Sequence, residues 1–410
     1  MANISRSEVA GRRILGFSRN VFFLGWASCL TDISSEMVIT TLPLFLANVL
    51  GVRTPVIGFI EGVADSTATL LKIVSGWFSD KLGRRKTLTL GGYSLSALTK
   101  PLLYLANTWP IVLALRFSDR VGKGVRTSPR DALLADSILP DERGKSFGLH
   151  RAMDSLGAVI GLGVAAVIVF VLQRADLELT RNTYQTLVLV ATLPALAAVL
   201  LIVALVREPR REVVTDTRNV EEPRPSSPQK AFGRQFKLFL AIMVIFTLGN
   251  SSDAFLILRA QNLGASCLLI LLILVLFNIV YSVTSLPAGL LSDRLGRKAV
   301  IAVGWSIYAL IYLGFAVAST LWQVWLLFVL YGLYYGAAEG VSRAFVADLV
   351  PAERRGTAYG LYHGAIGVTA LPASVIAGWL WEAFNQGAPF LFGAVLAGIA
   401  GAGLIGLLRE

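Results

Sequence analysis

The sequence predicts an all-α membrane protein of twelve transmembrane helices, arranged as two pseudo-symmetric six-helix bundles. Three observations predict it. The chain has 410 residues, 55% of them hydrophobic and 15% charged, with a mean hydropathy of +0.66; soluble domains carry roughly 25% charged residues. Apolar runs such as 157–172, 187–206, 267–280 and 390–408, with their neutral flanks, reach the roughly 18–20 residues that a bilayer crossing needs. Basic residues alternate between loops, and the second half of the chain repeats motifs of the first.

The expected spans are 18–50, 54–78, 87–107, 109–128, 145–173, 183–206, 235–262, 266–291, 299–319, 321–346, 357–384 and 388–408. Each must be helical, because a span satisfies its own backbone hydrogen bonds. Arg6, Arg12, Arg13 and Arg19 precede the first span; Lys81, Arg84, Arg85 and Lys86 follow the second; Arg130, Arg143 and Lys145 follow the fourth. A larger group from Arg207 to Arg234 follows the sixth, Arg294, Arg297 and Lys298 the eighth, and Arg354 and Arg355 the tenth. The alternate loops hold little beyond Arg53, Arg174 and Arg181. The asymmetry predicts that both termini are cytoplasmic and requires an even number of spans; the compact loops and short termini suggest the cell inner membrane of a prokaryote. The asymmetry also accounts for the net charge of +11 without nucleic acid.

Residues 207–234, with Pro209, Pro223, Pro225 and Pro228 among mixed charges, read as a linker. It separates an N-terminal bundle, 1–206, from a C-terminal bundle, 235–410. The polar, basic N-terminus has no small-residue cleavage site, so no removable signal peptide is expected. Cys29 and Cys267 lie in apolar segments and suggest no disulfide. His150 and His363 lack ligand-like spacing, so no metal is expected, and no cofactor is implied.

The halves repeat each other. Gly76-Trp-Phe-Ser-Asp80-Lys-Leu-Gly83-Arg84-Arg85-Lys86 recurs as Gly289-Leu-Leu-Ser-Asp293-Arg-Leu-Gly296-Arg297-Lys298. Ala135-Asp136, followed by Pro140, Glu142-Arg143 and Gly144, recurs as Ala347-Asp348, Pro351, Glu353-Arg354 and Gly356. Ile33-Ser-Ser-Glu36-Met faintly echoes Asn250-Ser-Ser-Asp253-Ala. Two repeats of six spans place a substrate site between the halves near the midplane.

These motifs resemble those of the major facilitator superfamily of secondary transporters. The Gly76–Lys86 run matches that family's loop signature between spans two and three, and its second copy lies between spans eight and nine. Arg116, followed by Gly122, Gly124 and Ala135-Asp136, resembles the family's span-four motif. Arg120 stands where many drug exporters carry Gly, and the span-five antiporter signature is matched only by Gly157, Gly161 and Gly163, without its Pro. The resemblance implies a conformational latch in which Arg84 pairs with Asp136 and Arg297 with Asp348, with Asp80 and Asp293 at the helix ends. Arg85 and Lys86 are expected to serve topology alone.

Charges inside the spans mark the candidate site, since each costs roughly 2.5–3.5 kcal/mol at a helix centre on insertion scales. Asp32 and Glu36 share a face of span one; Glu61, Asp65 and Lys72 share a face of span two. Span three carries Lys100, which should reach inward to an acid. Span four carries the stripe Arg116, Asp119, Arg120 and Lys123. Span five adds His150, Arg151 and Asp154. The second half has far fewer: Asp253, Glu339 and Arg343. Part of this set could instead be structural ion pairs. Gly91, Gly92, Gly157, Gly161, Gly332, Gly336 and Gly340 should permit close helix packing. Trp109, Trp322 and Trp325 suit an aromatic belt, and Tyr331, Tyr334 and Tyr335 either line the cavity or pack.

The expected function is proton-coupled export of a small organic solute by a monomer in the lipid bilayer. Asp32 or Glu36 would carry the proton, with Arg116 setting its proton affinity. The rivals are a proton symporter importing an organic anion or nutrient, and a non-transporting receptor or scaffold. No nucleophile–base pair or phosphate-cradling loop reads from the sequence, so no enzyme is expected.

Overall fold

The computed structural model describes residues 13–82, 84–137, 143–173, 178–208, 232–350 and 355–407. Twelve helical spans follow in order: α1 (Arg19–Val49), α2 (Thr54–Leu82), α3 (Arg85–Leu103), α4 (Trp109–Asp136), α5 (Arg143–Gln173) and α6 (Arg181–Leu205). Then come α7 (Arg234–Asn262), α8 (Cys267–Leu295), α9 (Arg297–Val317), α10 (Leu321–Asp348), α11 (Arg355–Ala383) and α12 (Ala388–Leu407). No β-strand occurs among the described residues. The expected linker, 207–234, falls largely on 209–231, outside the described residues.

Eight of these helices, α1, α5 to α9, α11 and α12, have described stretches long and apolar enough to cross a membrane. The other four have identifiable reasons to fall short. The described apolar part of α10 is Leu321–Gly336. Helices α2 and α4 carry several intramembrane charges, and α3 sets Lys100 among Thr, Ser and Gly residues.

Two spans are interrupted. In α1 the helix Arg19–Ile39 gives way at Thr40 and Thr41 to Leu42–Leu44 and a π-helical turn, Phe45–Val49. Pro43 lacks the N–H that a regular helix would use, and the Thr41 hydroxyl bonds back to the Met37 carbonyl at 2.9 Å. In α7 the helix Arg234–Gly249 stops, and Ala254–Asn262 resumes after Asn250–Asp253. Arg259 anchors that second segment by donating to the carbonyls of Phe315 (3.1 Å) and Ala318 (2.8 Å) at the end of α9.

The bundle has a basic end, holding the α2–α3 and α8–α9 loops, and a far end. At the far end the halves meet backbone to backbone along α2 and α11. A Cβ on Gly58 would lie 2.3 Å from the Ser374 carbonyl oxygen, one on Gly62 3.0 Å from the Leu371 Cα, and one on Gly378 2.7 Å from the Pro55 Cα. Glycine permits this approach where any side chain would hold the helices apart. The Ser252 amide donates to the Ser374 hydroxyl at 3.2 Å, and Phe255 packs against Trp381 with centroids 6.1 Å apart. Arg53 and Glu382 approach to 3.9 Å at the exposed rim.

At the basic end Gly296 has φ +88°, which closes the short α8–α9 turn. Arg297 pairs with Asp348 at 2.7 Å, linking α9 to α10. The first half is arranged differently from the expectation. Arg85, not Arg84, bonds to Asp136, and it also donates to the Ala132 carbonyl at 2.8 Å; Arg84 is exposed. Arg85 opens α3, which points its side chain at the end of α4. Gly83 and the side chains of Asp80 and Asp293 lie outside the described residues.

Candidate functional site

Helix α4 carries the site because its neighbours hold it unusually close. A Cβ on Gly92 of α3 would lie 2.5 Å from the Gly122 carbonyl oxygen, and one on Gly124 would lie 2.5 Å from the Leu71 Cβ of α2. Small hydroxyls lock both contacts. Ser96 donates to the Asp119 carbonyl at 3.1 Å, Ser75 to Gly124 at 2.8 Å, and Ser128 to Lys72 at 2.7 Å. A helix gripped on two sides can turn only its remaining face inward, and on that face stand Arg116, Asp119, Arg120, Lys123 and Arg126.

These residues line a cavity of about 300 Å³ between the two halves. Asp32 and Glu36 enter from α1, Glu61 and Asp65 from α2, Ser252 and Asp253 from the break in α7, and Phe277 and Asn278 from α8. Of the charges expected to mark the site, Asp32, Glu36, Glu61, Asp65, Arg116, Asp119, Arg120, Lys123 and Asp253 line it; Lys72, His150, Arg151 and Asp154 do not, and Lys100 sits one layer behind, 3.4 Å from Asp119. Lys100 does reach inward to an acid.

Two acids are locked. Glu61 accepts from Arg116 at 2.7 Å, with both side chains 5% exposed. Asp119 is held by Lys100, with Arg120 at 3.8 Å and Arg116 at 4.0 Å. A pair this buried is tolerable because each charge answers the other; removing one partner leaves an uncompensated ion. The partner of Arg116 is thus an acid of α2, not the α1 acids Asp32 or Glu36. Helix α2 packs directly against α4, where Gly124 meets Leu71 and Ser75.

The other charges of the cavity are less engaged. Glu36 accepts from the Thr40 hydroxyl at 3.1 Å. Asp253, exposed to the cavity, accepts from the Tyr331 phenol at 2.8 Å. Asp32 and Asp65 make no side-chain hydrogen bond or ion pair among the described residues, nor does Lys123. Arg126 lies over the Tyr93 ring at 4.3 Å. Nearer the basic end, Arg130 donates to Ser28 at 3.1 Å, and His150 Nδ1 lies 3.4 Å from Asp154.

The tyrosines of α10 pack, and none lines the cavity. Tyr331 and Tyr334 are buried among Phe277, Tyr308 and Tyr312. Tyr331 reaches the cavity only through Asp253. The side chains of Glu339 and Arg343 lie outside the described residues. Sequence reasoning passed over Arg126, although it continues the α4 stripe by one further turn. Ser252 showed only in the faint Asn250-Ser-Ser-Asp253 echo, and Phe277 and Asn278 carried no signal, because neutral residues in apolar helices look alike until the helices are placed.

Comparison with known proteins places these features in a family. The family model of the Major Facilitator Superfamily matches residues 24–259 and 238–410. An uncharacterized MFS-type transporter of Methanocaldococcus jannaschii is 35% identical over 397 residues, covering 94% of each chain. The multi-drug resistance efflux pump PmrA of Streptococcus pneumoniae is 25% identical over 345 residues, 82% of this chain and 83% of that one. Among solved structures, a variant of the nucleoside transporter NupG superposes with a TM-score of 0.77 at 14% identity, covering 95% of this chain and 100% of the other.

Proposed function

This chain belongs to the major facilitator superfamily, and from that membership we propose that it exports a small organic solute in exchange for protons by alternating access. The observation that carries the reading is the cavity itself. It lies between the halves, is closed at the far end by α2 and α11, and among its lining acids Asp32, Glu36, Asp65 and Asp253 form no ion pair among the described residues. Such an arrangement suits a site exposed to one side at a time. In this reading the basic end lies in the cytoplasm, and the glycine contacts of α2 and α11 lie on the opposite side. The setting would be the inner membrane, and the working unit a monomer.

In this reading Asp32 or Glu36 carries the proton, since both line the cavity and neither pairs with a cation. Arg116 acts otherwise than the sequence suggested: bonded to Glu61, it fixes α4 against α2 and leaves the α1 acids free to titrate. Solute and proton then compete for one charged surface, which gives exchange. The latch role passes in the first half to Arg85 with Asp136 and stays in the second with Arg297 and Asp348. Export, as against uptake, is supported by likeness to an efflux pump over most of the chain. Uptake of an organic anion is the second reading, favoured by the cations of α4.

The test uses everted and right-side-out vesicles, screened with a metabolite and drug library for solute-dependent proton movement. Export predicts solute accumulation in everted vesicles driven by an inward-acid gradient. Asp32→Asn with Glu36→Gln should abolish the coupling while solute exchange persists. Coupling that survives the double variant would remove both acids from the proton path, and accumulation only in right-side-out vesicles would reverse the direction.

A further inference from the structure

We propose that the cavity selects an amphoteric solute, bearing an anionic group and an amine, and that it holds the two groups on opposite halves of the protein. The inference rests on the cavity being the transport site and adds the chemistry of what enters it.

The first wall supplies the anion's partners. Arg120 and Arg126 are 6% and 5% exposed, yet neither guanidinium donates a hydrogen bond to any acceptor among the described residues. Buried N–H groups of both, Arg120 Nε and Arg126 Nη1, are unpartnered. Arg120 has only the loose 3.8 Å approach to Asp119, which Lys100 already holds. Lys123 stands between them on the same face, exposed in the cavity. Asp32 and Asp65 line the same space, but neither forms an ion pair with these cations. Guanidinium donors left without acceptors are costly, and a carboxylate or phosphate entering the cavity supplies the acceptors they lack.

The second wall supplies the amine's partner. Among the described residues, its only charged residue lining the cavity is Asp253. One carboxylate oxygen accepts from Tyr331; the other has no partner among the described residues. The break in α7 presents this carboxylate from an irregular backbone, where Ser252 also faces the cavity. The rest of that wall is neutral: Ala254, Ile257, Leu274, Phe277 and Asn278. Among the described residues of this half, Asp253 is therefore the group that draws a cation.

A solute engaging α4 with one end and α7 with the other ties the halves together. Its affinity is then greatest where the walls are closest, which is the differential binding that drives a conformational change. A solute with one charge grips one wall and lacks this advantage.

The experiment measures equilibrium binding to the purified full chain, without a gradient, by ligand-induced shift of the unfolding midpoint. Three matched triplets serve as probes: phenylalanine, 3-phenylpropionate and phenethylamine; leucine, 4-methylpentanoate and 3-methylbutylamine; phosphoethanolamine, ethyl phosphate and ethylamine. In at least one triplet the amphoteric member should bind about tenfold tighter than either singly charged relative, the scale of one charged hydrogen bond. Lys123→Gln should lower its affinity and erase its advantage over the amine, while Lys123→Arg retains it. Asp253→Asn should erase its advantage over the anion. Lys123 is exposed and unpaired, so its variants leave the fold intact, and the unliganded midpoint verifies this for each variant. The proposal is overturned if a singly charged member binds as tightly in every triplet, if none of the nine binds, or if Lys123→Gln leaves the preference unchanged. Flux in vesicles is read separately, so transport can persist when this selectivity fails.

Discussion

Aligned on Asp136 and Asp348, helices α4 and α10 occupy matching places in the two halves, and their inward faces differ in kind. Where α4 has Arg116, Asp119, Arg120 and Lys123, α10 has Phe328, Tyr331, Gly332 and Tyr335. The first face is a ladder of ions answered by Glu61 and Lys100. The second is part of a ring cluster in which Tyr308 stacks on Tyr312 with centroids 4.0 Å apart, and Phe246 stacks on Trp305 at 4.5 Å. One scaffold thus tolerates either chemistry, so the fold does not require charge at these positions. Aromatic pairs add roughly 0.5–1.5 kcal/mol beyond their area, whereas a buried ion pair can be matched by apolar residues of similar volume. The phenols of the aromatic side have a second task. Tyr308 donates toward Asn250 at 3.1 Å, and Tyr331 donates to Asp253, so the rings also support the break in α7.

Breaking the ladder should have the largest effect. Arg116→Ala strands Glu61 and should cost about 3–5 kcal/mol, the price of leaving a buried charge alone. Thermal unfolding in detergent reads this, and Arg116→Met with Glu61→Leu should recover most of the loss. A single variant within a few tenths of a kcal/mol of wild type would mean that the ladder holds nothing together.

The next contrast is between the two arginine–aspartate pairs proposed as latches. Arg85→Gln should slow transport about tenfold, equivalent to roughly 1.4 kcal/mol, while Arg84→Gln leaves it near the wild-type rate. In the second half Arg297→Gln should match Arg85→Gln, because the pairing residue there is the first of the basic run. Equal losses from Arg84 and Arg85 would erase the difference between the loops.

On the aromatic side, Tyr308→Phe keeps the ring and removes one donor, which should cost about 1 kcal/mol. If that cost equals the loss from Arg116→Ala, the two halves do not differ in the way described.

The smallest effect concerns the α2–α3 loop. Glu208 accepts from the amides of Arg85 and Lys86 at 2.8 and 2.7 Å, capping α3 with a carboxylate from beyond α6. Glu208→Gln should lower stability by about 0.5–1 kcal/mol and make it less dependent on salt. Unchanged salt dependence would rule out an electrostatic cap.

The fold was legible because its signals are long and redundant: apolar runs, alternating basic loops and two copies of each loop motif. The cavity was legible because charges inside spans are scarce, so Asp32, Glu36, Glu61, Asp65 and the α4 stripe declared themselves. Their pairing was not legible. Arg116 lies within reach of several acids, and whether α1 or α2 packs against its turn depends on Gly124 and Ser75, which look ordinary in sequence. The Arg84 expectation failed for a similar reason. Adjacent arginines point about 100° apart on a helix, and only the start of α3 at Arg85 decides which one faces Asp136. The breaks in α1 and α7 left faint traces, Pro43 in one and Asn250-Ser-Ser-Asp253 in the other, that helical periodicity could not interpret.

The far-end seal between α2 and α11 has a consequence in rotamers. Gly58, Gly62 and Gly378 meet backbone there, and a glycine has no side-chain freedom to lose when surfaces close. Long side chains at the same places would be frozen at each closure and released at each opening, a toll of roughly 1–2 kcal/mol apiece. In the alternating-access cycle proposed above, a seal of glycines would part and re-form with little such change. The balance between open and closed populations would then be set by what occupies the cavity, and a single methyl at Gly62 should tilt it toward the open form by crowding alone.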